Sequence, residues 1–294
     1  MMDDKSKRLR LDQFVVEQHP NLSRSYAHHL IMSGLVTVND KCILKAGYKV
    51  KPTDSVEISY NPEQVIDIPS IELDIIYEDD DCVVIDKPIG VLSHSKGVFN
   101  PEATVASWLS HRIKSDGFSV LPDNEDNDRL GIVHRLDRAT SGIMICAKNH
   151  QTVEYLQKQF AKRKVQKTYI AIISGALKDE TMVIDMPIER NPKKPHSFRV
   201  GSNGKSAITE CQQIKSGSKY SIVELKPLTG RTHQLRVHLT TVGNPILGDD
   251  LYGGDEADRL YLHSYSLEIT LPDGKSKTFI AKKPTSFDKI LLNE

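Results

Sequence analysis

Cysteine is scarce in this chain of 294 residues. There are four, Cys42, Cys82, Cys146 and Cys211, far apart and with no Cys-x-x-Cys pair. That spacing excludes a disulfide framework. Three of the four sit in or beside apolar runs, so reduced and mostly buried thiols in a cytoplasmic protein are expected. Net charge is missing as well: 39 Lys and Arg balance 39 Asp and Glu. The balance excludes a uniformly basic nucleic-acid sleeve and an acidic solvating tail, but not local patches, because binding is local and net charge is a sum. No apolar run approaches the roughly 18 residues of a membrane span. The stretch Met1 to Arg8 is charged with no apolar segment behind it, so no signal peptide is expected.

Several catalytic signatures are also missing. Gly201 to Ser206 ends like a phosphate-binding loop, but Arg199 stands where that loop needs its first glycine. There is no G-x-S-x-G elbow. His233 and His238 are five apart with no Glu between them in zincin spacing, so no metal site is expected. What remains is 38% hydrophobic and 27% charged, the composition of a soluble globular protein large enough for two domains.

Residues 8–58 read as a small unit. Leu11, Phe14 and Val15 form a helical stripe that ends at Pro20. Ser23 is a candidate N-cap for a second helix carrying Tyr26, Ala27, Leu30 and Ile31, which Gly34 stops. Leu35–Val38 reads as a strand, Asn39–Lys41 as a turn, and Ser55–Ile58 as a closing strand. Residues 59–70 hold two prolines and read as a linker. Residues 71–294 are strand-rich, with helical stretches near 103–114, 150–163 and 231–243. Strands and helices do not alternate as βαβ units. The expected class is therefore α+β, a mixed and mainly antiparallel sheet with flanking helices. Residues 116–128 are polar and acidic and read as a surface loop.

The densest polar stretch is Gly131-Ile132-Val133-His134-Arg135-Leu136-Asp137-Arg138-Ala139-Thr140-Ser141-Gly142. It mixes an imidazole, two guanidinium groups, a carboxylate and two hydroxyls beside an apolar strand. Arginines on both sides of a carboxylate hold it ionised, so Asp137 is a candidate catalytic group.

Two resemblances give these residues roles. Ser23 to Asn39 is similar to the S4 RNA-binding domain, with Asp40 where that pattern usually has glycine. The resemblance makes Arg8, Arg10, Arg24, His28, Lys41 and Lys45 candidate RNA contacts. The stretch His134-Arg135-Leu136-Asp137 through Thr140-Ser141-Gly142 resembles the H-R-L-D-x-x-T-S-G signature of the RluA-type pseudouridine synthases. Other motifs of that family follow in order: Lys87-Pro88-Ile89-Gly90, Lys167-Thr168-Tyr169-Ile170-Ala171, Gly230-Arg231-Thr232-His233-Gln234-Leu235-Arg236-Val237-His238, Pro245 to Gly253, and Leu262-His263-Ser264. Ala139 and Ser264 are mild departures.

The resemblance spans about residues 71–285 and implies an isomerase. It breaks the N-glycosidic bond of a uridine, turns the base and rejoins it through C5, with no redox cofactor, metal or nucleotide. By resemblance Asp137 is the essential carboxylate, acting either as a nucleophile or by removing a sugar proton. Tyr169 is the active-site tyrosine, Arg231 the arginine that pairs with the carboxylate, and Arg135 the side chain that fills the place of the flipped base. Two basic runs, Lys158 to Lys167 and Lys193 to Arg199, are candidate backbone contacts; Lys164 and Lys167 adjoin Tyr169 most closely.

Large-subunit ribosomal RNA is the expected substrate and transfer RNA the alternative. The expected protein is a monomer that partners RNA and neither a membrane nor a small-molecule cofactor. A catalytically idle ribosome-assembly protein would not need Asp137, Tyr169 and Arg231 together. A glycosidic hydrolase would need a second carboxylate as proton donor; Asp86 and Asp249 stand in motifs, and both read as structural.

Overall fold

The computed structural model describes residues 8–20, 22, 24–59, 69–94, 102–115 and 130–292. The candidate cap Ser23, most of the 59–70 linker and the acidic 116–128 loop lie outside them. Contacts divide the chain into two compact units. The first is built around the residues up to Ile71, and the second holds Glu72–Ser93 and the chain from Gly131 onward.

In the first unit, β1 (Leu9–Arg10) pairs with β4 (Lys49–Val50), and β2 (Val36–Val38) lies between β3 (Lys41–Cys42) and β5 (Val56–Ile58). Two helices, α1 (Leu11–Gln18) and α2 (Arg24–Met32), bury Leu11, Val15, Ala27, Leu30 and Ile31 with Val36 and Val38. The turn after α2 shows why glycine stands at 34. Gly34 adopts φ +74°, donates to the Ile31 carbonyl, and lets Leu35 N–H reach back to Leu30. This is a Schellman closure, which needs a left-handed residue at that place. The β2–β3 hairpin turns on Asn39 and Asp40, both left-handed at φ 50° and 61°. Asp tolerates that region better than most side chains, so the departure from glycine at 40 keeps the turn.

The second unit is one nine-stranded sheet. Its strands are β6 (Asp74–Glu78), β7 (Cys82–Lys87), β8 (Ser141–Ala147), β9 (Gln166–Ser174), β10 (Thr181–Asp185), β13 (Ile208–Ser216), β14 (Tyr220–Pro227), β15 (Leu262–Thr270) and β16 (Ser276–Ile280). A separate hairpin, β11 (Ile188–Arg190) with β12 (Phe198–Val200), leaves the sheet between β10 and β13. The order is β10-β13-β14-β9-β15-β8-β7-β6, antiparallel throughout except where β15 meets β8. β15 forks there: His263 and Ser264 pair with β8, and Ser266–Thr270 pair with β16. The α+β expectation holds. Helices α3 (Val105–Ser115), α4 (His150–Ala161), α5 (Gln234–Thr241) and α6 (Ser286–Leu292) complete the element list.

The central strands carry the longest apolar runs because both faces are covered. All seven residues of β8 are buried. One apolar cluster gathers Ile170, Ile172, Leu225, Leu235, Leu239 and Phe287; another gathers Val84, Ile143, Ile145, Leu156, Leu267 and Ile269. Cys82, Cys146 and Cys211 are free and buried in these layers, and Cys42 is free and exposed. Burial pushes the Cys146 and Cys211 thiols up to about 12, so they pack as small apolar groups.

The acidic run at 78–81 is scaffolding rather than a free surface. Glu78 binds both Arg112 and Lys148, Asp79 accepts the amides of Asp81 and Cys82, and Asp81 holds Asn149 and Thr152. Among the described residues no helix is long and apolar enough to cross a membrane.

Candidate active site

The dense polar stretch is the connection into β8, and a side chain of the first motif braces it. Lys87, at the end of β7, is fully buried. Its ammonium donates to the carbonyls of Pro88 and Val91 at 2.9 Å and of Arg138 at 3.4 Å. Burial lowers its pKa to about 8, against a smaller opposing pull from Asp137. Ser93 clamps the next turn: its hydroxyl donates to the Leu136 carbonyl at 2.8 Å and accepts the Leu136 amide at 3.0 Å. Thr140 N–H closes a turn on the Asp137 carbonyl. His134 is neutral and structural. It accepts the Ile145 amide at 3.0 Å and stacks on Phe160, and burial lowers its pKa to about 3. The backbone is thus held on both sides, and the side chains alternate: Arg135 exposed, Leu136 buried, Asp137 half-buried.

Asp137 opens into a cavity of about 470 Å³, within the roughly 300–1,000 Å³ usual for a bound small molecule or flipped base. Its wall brings together Arg135, Asp137, Lys167, Tyr169 and Arg231 from three separate stretches of sequence. Lys167 and Tyr169 are two apart on β9 and share one face of the strand. Burial raises Tyr169 to about 12, partly offset by the Ser264 hydroxyl, so the phenol keeps its proton at neutral pH. Ser264 lies directly opposite Tyr169 in the β9–β15 register. Burial also lowers the Lys167 ammonium. Among the described residues, five cations, Arg135, Arg163, Lys167, Arg231 and Arg236, line this space with a single carboxylate, Asp137.

The arginine at the carboxylate is not the expected one. Arg231 precedes α5, and its Nε donates to the Ser206 carbonyl at 3.0 Å. Arg236, in the first turn of α5, places Nη1 3.6 Å from Asp137 Oδ2. The same guanidinium grips Asp249 bidentately at 2.8 and 2.7 Å and lies over the Tyr252 ring. The physical reason is the helix start. Gln234 is buried, and its amide uses all four hydrogen-bonding sites, on the Thr229 hydroxyl, the Arg231 amide, the Ile208 carbonyl and the Thr209 hydroxyl. That staple holds Arg231 at the rim and turns the next arginine inward. Asp249 acts as the structural partner of Arg236, as expected of it.

The remaining candidates lie elsewhere. Lys164 is exposed just beyond α4 and does not line the cavity. Arg24 and Lys41 belong to the first unit. Lys41 opens β3 and is exposed, and Arg24 is exposed with its Nε held at 2.9 Å by the buried Asp12, which also binds Arg10. Lys87, His233, Gln234 and Arg236 stand inside the sequence motifs, but residue type and spacing alone give them no role.

Comparison with known proteins agrees with this geometry. The family model for RNA pseudouridylate synthase matches residues 81–241, and the S4 domain model matches residues 9–56. The chain belongs to the RNA pseudouridylate synthase family. It is 38% identical to the ribosomal large subunit pseudouridine synthase D of Borreliella burgdorferi, over 98% of this chain and 90% of that protein. It is also 38% identical to an uncharacterized RNA pseudouridine synthase of Aquifex aeolicus, over 83% of this chain and 77% of that one. Human RNA pseudouridylate synthase domain containing 1 superposes with a TM-score of 0.59 at 28% identity, covering 72% of this chain and 84% of the human one. This pseudouridine synthase is therefore an RNA-acting isomerase with an S4 domain ahead of its catalytic sheet.

Proposed function

We propose that this synthase isomerises uridines of large-subunit ribosomal RNA and that Asp137 is its catalytic carboxylate. The observation that carries the reading is the cavity itself, which among the described residues holds one carboxylate and five cations. A glycosidase-type acid and base pair needs two carboxylates; here Asp249 is buried against Arg236, and Asp86 is absent from the cavity wall. A polyanion held by five cations, with one base turned out of its stack, fits instead.

In this arrangement Arg236 aims Asp137 at the ribose. The same placement serves attack on the sugar and removal of a sugar proton. Tyr169, protonated and facing the same space, offers its ring to the uracil and its oxygen to the proton exchanged at C5. Arg135, exposed at the rim, occupies the gap left by the flipped base, and Lys167 and Arg231 take phosphate or carbonyl oxygens. Support for the ribosomal substrate is the match to the Borreliella burgdorferi enzyme along nearly the whole chain. A ribosomal RNA substrate supports a cytoplasmic enzyme.

The test is pseudouridine mapping on unmodified large-subunit ribosomal RNA made by transcription. The parental enzyme is expected to convert specific uridines, while Asp137→Asn binds the RNA and converts none. Turnover by Asp137→Asn would remove the catalytic assignment. Conversion of transfer RNA in place of ribosomal RNA would overturn the substrate.

A further inference from the structure

His233 has an unusual backbone for a side-chain-bearing residue. It is left-handed at φ 57°, φ/ψ 57°/18°, immediately before α5, and makes no side-chain cap to that helix. A non-glycine residue held there is strained and persists only where its surroundings fix it. The imidazole is fixed on three sides. It meets Phe198 and Tyr252 edge to face, and its Nδ1 lies 2.8 Å from the Tyr252 hydroxyl. Its Nε2 points at Asp137 Oδ2, 3.8 Å away, beside Arg236 Nη1 at 3.6 Å from the same oxygen.

The protons can be assigned from this chain of contacts. The Phe198 amide donates to the Tyr252 oxygen at 2.9 Å. That phenol has one proton of its own, and among the described residues the only acceptor within reach of it is His233 Nδ1. An Nδ1 that accepts leaves the ring proton on Nε2, the nitrogen that faces Asp137. We infer that Tyr252 locks His233 in its Nε2–H form, making His233 a positioning residue that presents a second, neutral donor to Asp137 beside Arg236. Burial keeps the ring neutral, against the opposing pull of Asp137. A neutral donor orients the carboxylate without adding a second full charge to quench it. The 3.8 Å separation is longer than a hydrogen bond, and such contacts commonly close only when substrate is bound.

The inference rests on the reading of Asp137 as the catalytic carboxylate, and the test separates the two. In the full-length ¹⁵N-labelled enzyme, imidazole nitrogen shifts report the tautomer directly, with His233 assigned by its loss in His233→Gln. The expected form is Nε2–H in the parental protein and a mixture in Tyr252→Phe. On transcribed, unmodified large-subunit ribosomal RNA, Tyr252→Phe is expected to slow the single-turnover rate about tenfold with RNA affinity within about twofold. His233→Gln, which keeps a donor, is expected to retain more activity than His233→Leu. An Nδ1–H parental ring, or Tyr252→Phe turning over at the parental rate, would overturn the inference while Asp137→Asn stays inactive. Turnover by Asp137→Asn would instead bring down the underlying reading. The parental tautomer is read whether or not Tyr252→Phe folds.

Discussion

Arg236 holds two carboxylates at once, whereas Arg231 holds a surface carbonyl, so truncating each has a different cost. Removing Arg236 leaves Asp249, whose side chain is fully buried, as an uncompensated charge. Breaking one partner of such a pair costs about 3–5 kcal/mol. Arg236→Ala is expected to lose that much in urea unfolding and to lose turnover. Arg231→Ala is expected to stay within about 0.5 kcal/mol of the parent and to act on RNA affinity; the reverse ranking would restore Arg231 as the partner of Asp137. The two arginines are five residues apart in one motif, and no spacing rule separates them. What distinguishes them is the helix start fixed by Gln234, a tertiary fact visible only once Ile208 and Thr209 are in place. Asp137 was legible because chemistry-bearing residue types cluster around it, whereas Tyr169, an aromatic leading into an apolar run, was legible only through the family motif. Lys87 gave a fainter signal, a lysine closing an apolar strand. Its folded pKa of about 8 against 10.5 makes stability depend on pH. Below pH 8 the ammonium is charged in both states and the full cost of burying it is carried. Between 8 and 10.5 the unfolded chain binds more protons, so stability rises with pH. Relative to Lys87→Met, the parental protein is expected to gain about 2–3 kcal/mol between about pH 7.5 and 10 in urea unfolding. A flat difference would show that the ammonium is not buried.

Among the elements, the junction of β8 with β15 is the least tolerant of change. Gly142 adopts φ +111°, and a Cβ there would lie 2.2 Å from the Ser264 carbonyl oxygen. Ser264 pairs with Gly142 on one side and Tyr169 on the other, so any displacement passes to the cavity wall. Gly142→Ala is expected to lower stability by more than about 3 kcal/mol, from strain and backbone overlap together, and to reduce turnover. Thermal unfolding at the parental temperature would contradict it. The glycine was visible in the sequence as the end of a motif, but its reason was not, because the neighbouring backbone comes from 122 positions later in the chain. Strands β7, β8 and β9 could be read directly, since burial on both faces writes apolar runs into them, and the second half of β15 by its alternation at Leu267-Glu268-Ile269. Strands β10 to β13 could not. They are short or polar, such as Ile188-Glu189-Arg190 and Phe198-Arg199-Val200, and owe their form to their partners. Helix α6 escaped for a similar reason: it has seven residues, and Phe287 is its one fully buried anchor.

For the whole molecule, a zero net charge conceals an unequal use of acids and bases. Glu78, Asp79 and Asp81 are taken up by internal partners, while Lys162, Arg163, Lys164, Lys193 and Lys194 are exposed to solvent. These exposed cations are local basic patches that the sum of 39 against 39 conceals. The S4 domain adds its own cations, and its apolar cluster around Leu11, Ala27, Leu30 and Val36 belongs to it alone. The catalytic sheet has its own two clusters. Removing residues 1–58 is accordingly expected to leave a folded sheet that contains Asp137, Tyr169 and Arg236. For every phosphate that is no longer neutralised, the logarithm of affinity becomes about 0.7–0.9 less steep against the logarithm of salt. With Arg24, Lys41 and their neighbours gone, RNA binding should weaken and its salt slope should flatten by about 2. The single-turnover rate at saturating RNA should stay within about threefold, because chemistry depends on groups that the truncation leaves in place. Filter binding across a salt series, paired with single-turnover conversion, measures both quantities. A folded truncation with the parental slope would remove RNA contact from the S4 domain, and one that binds RNA without converting it would place part of the chemistry there.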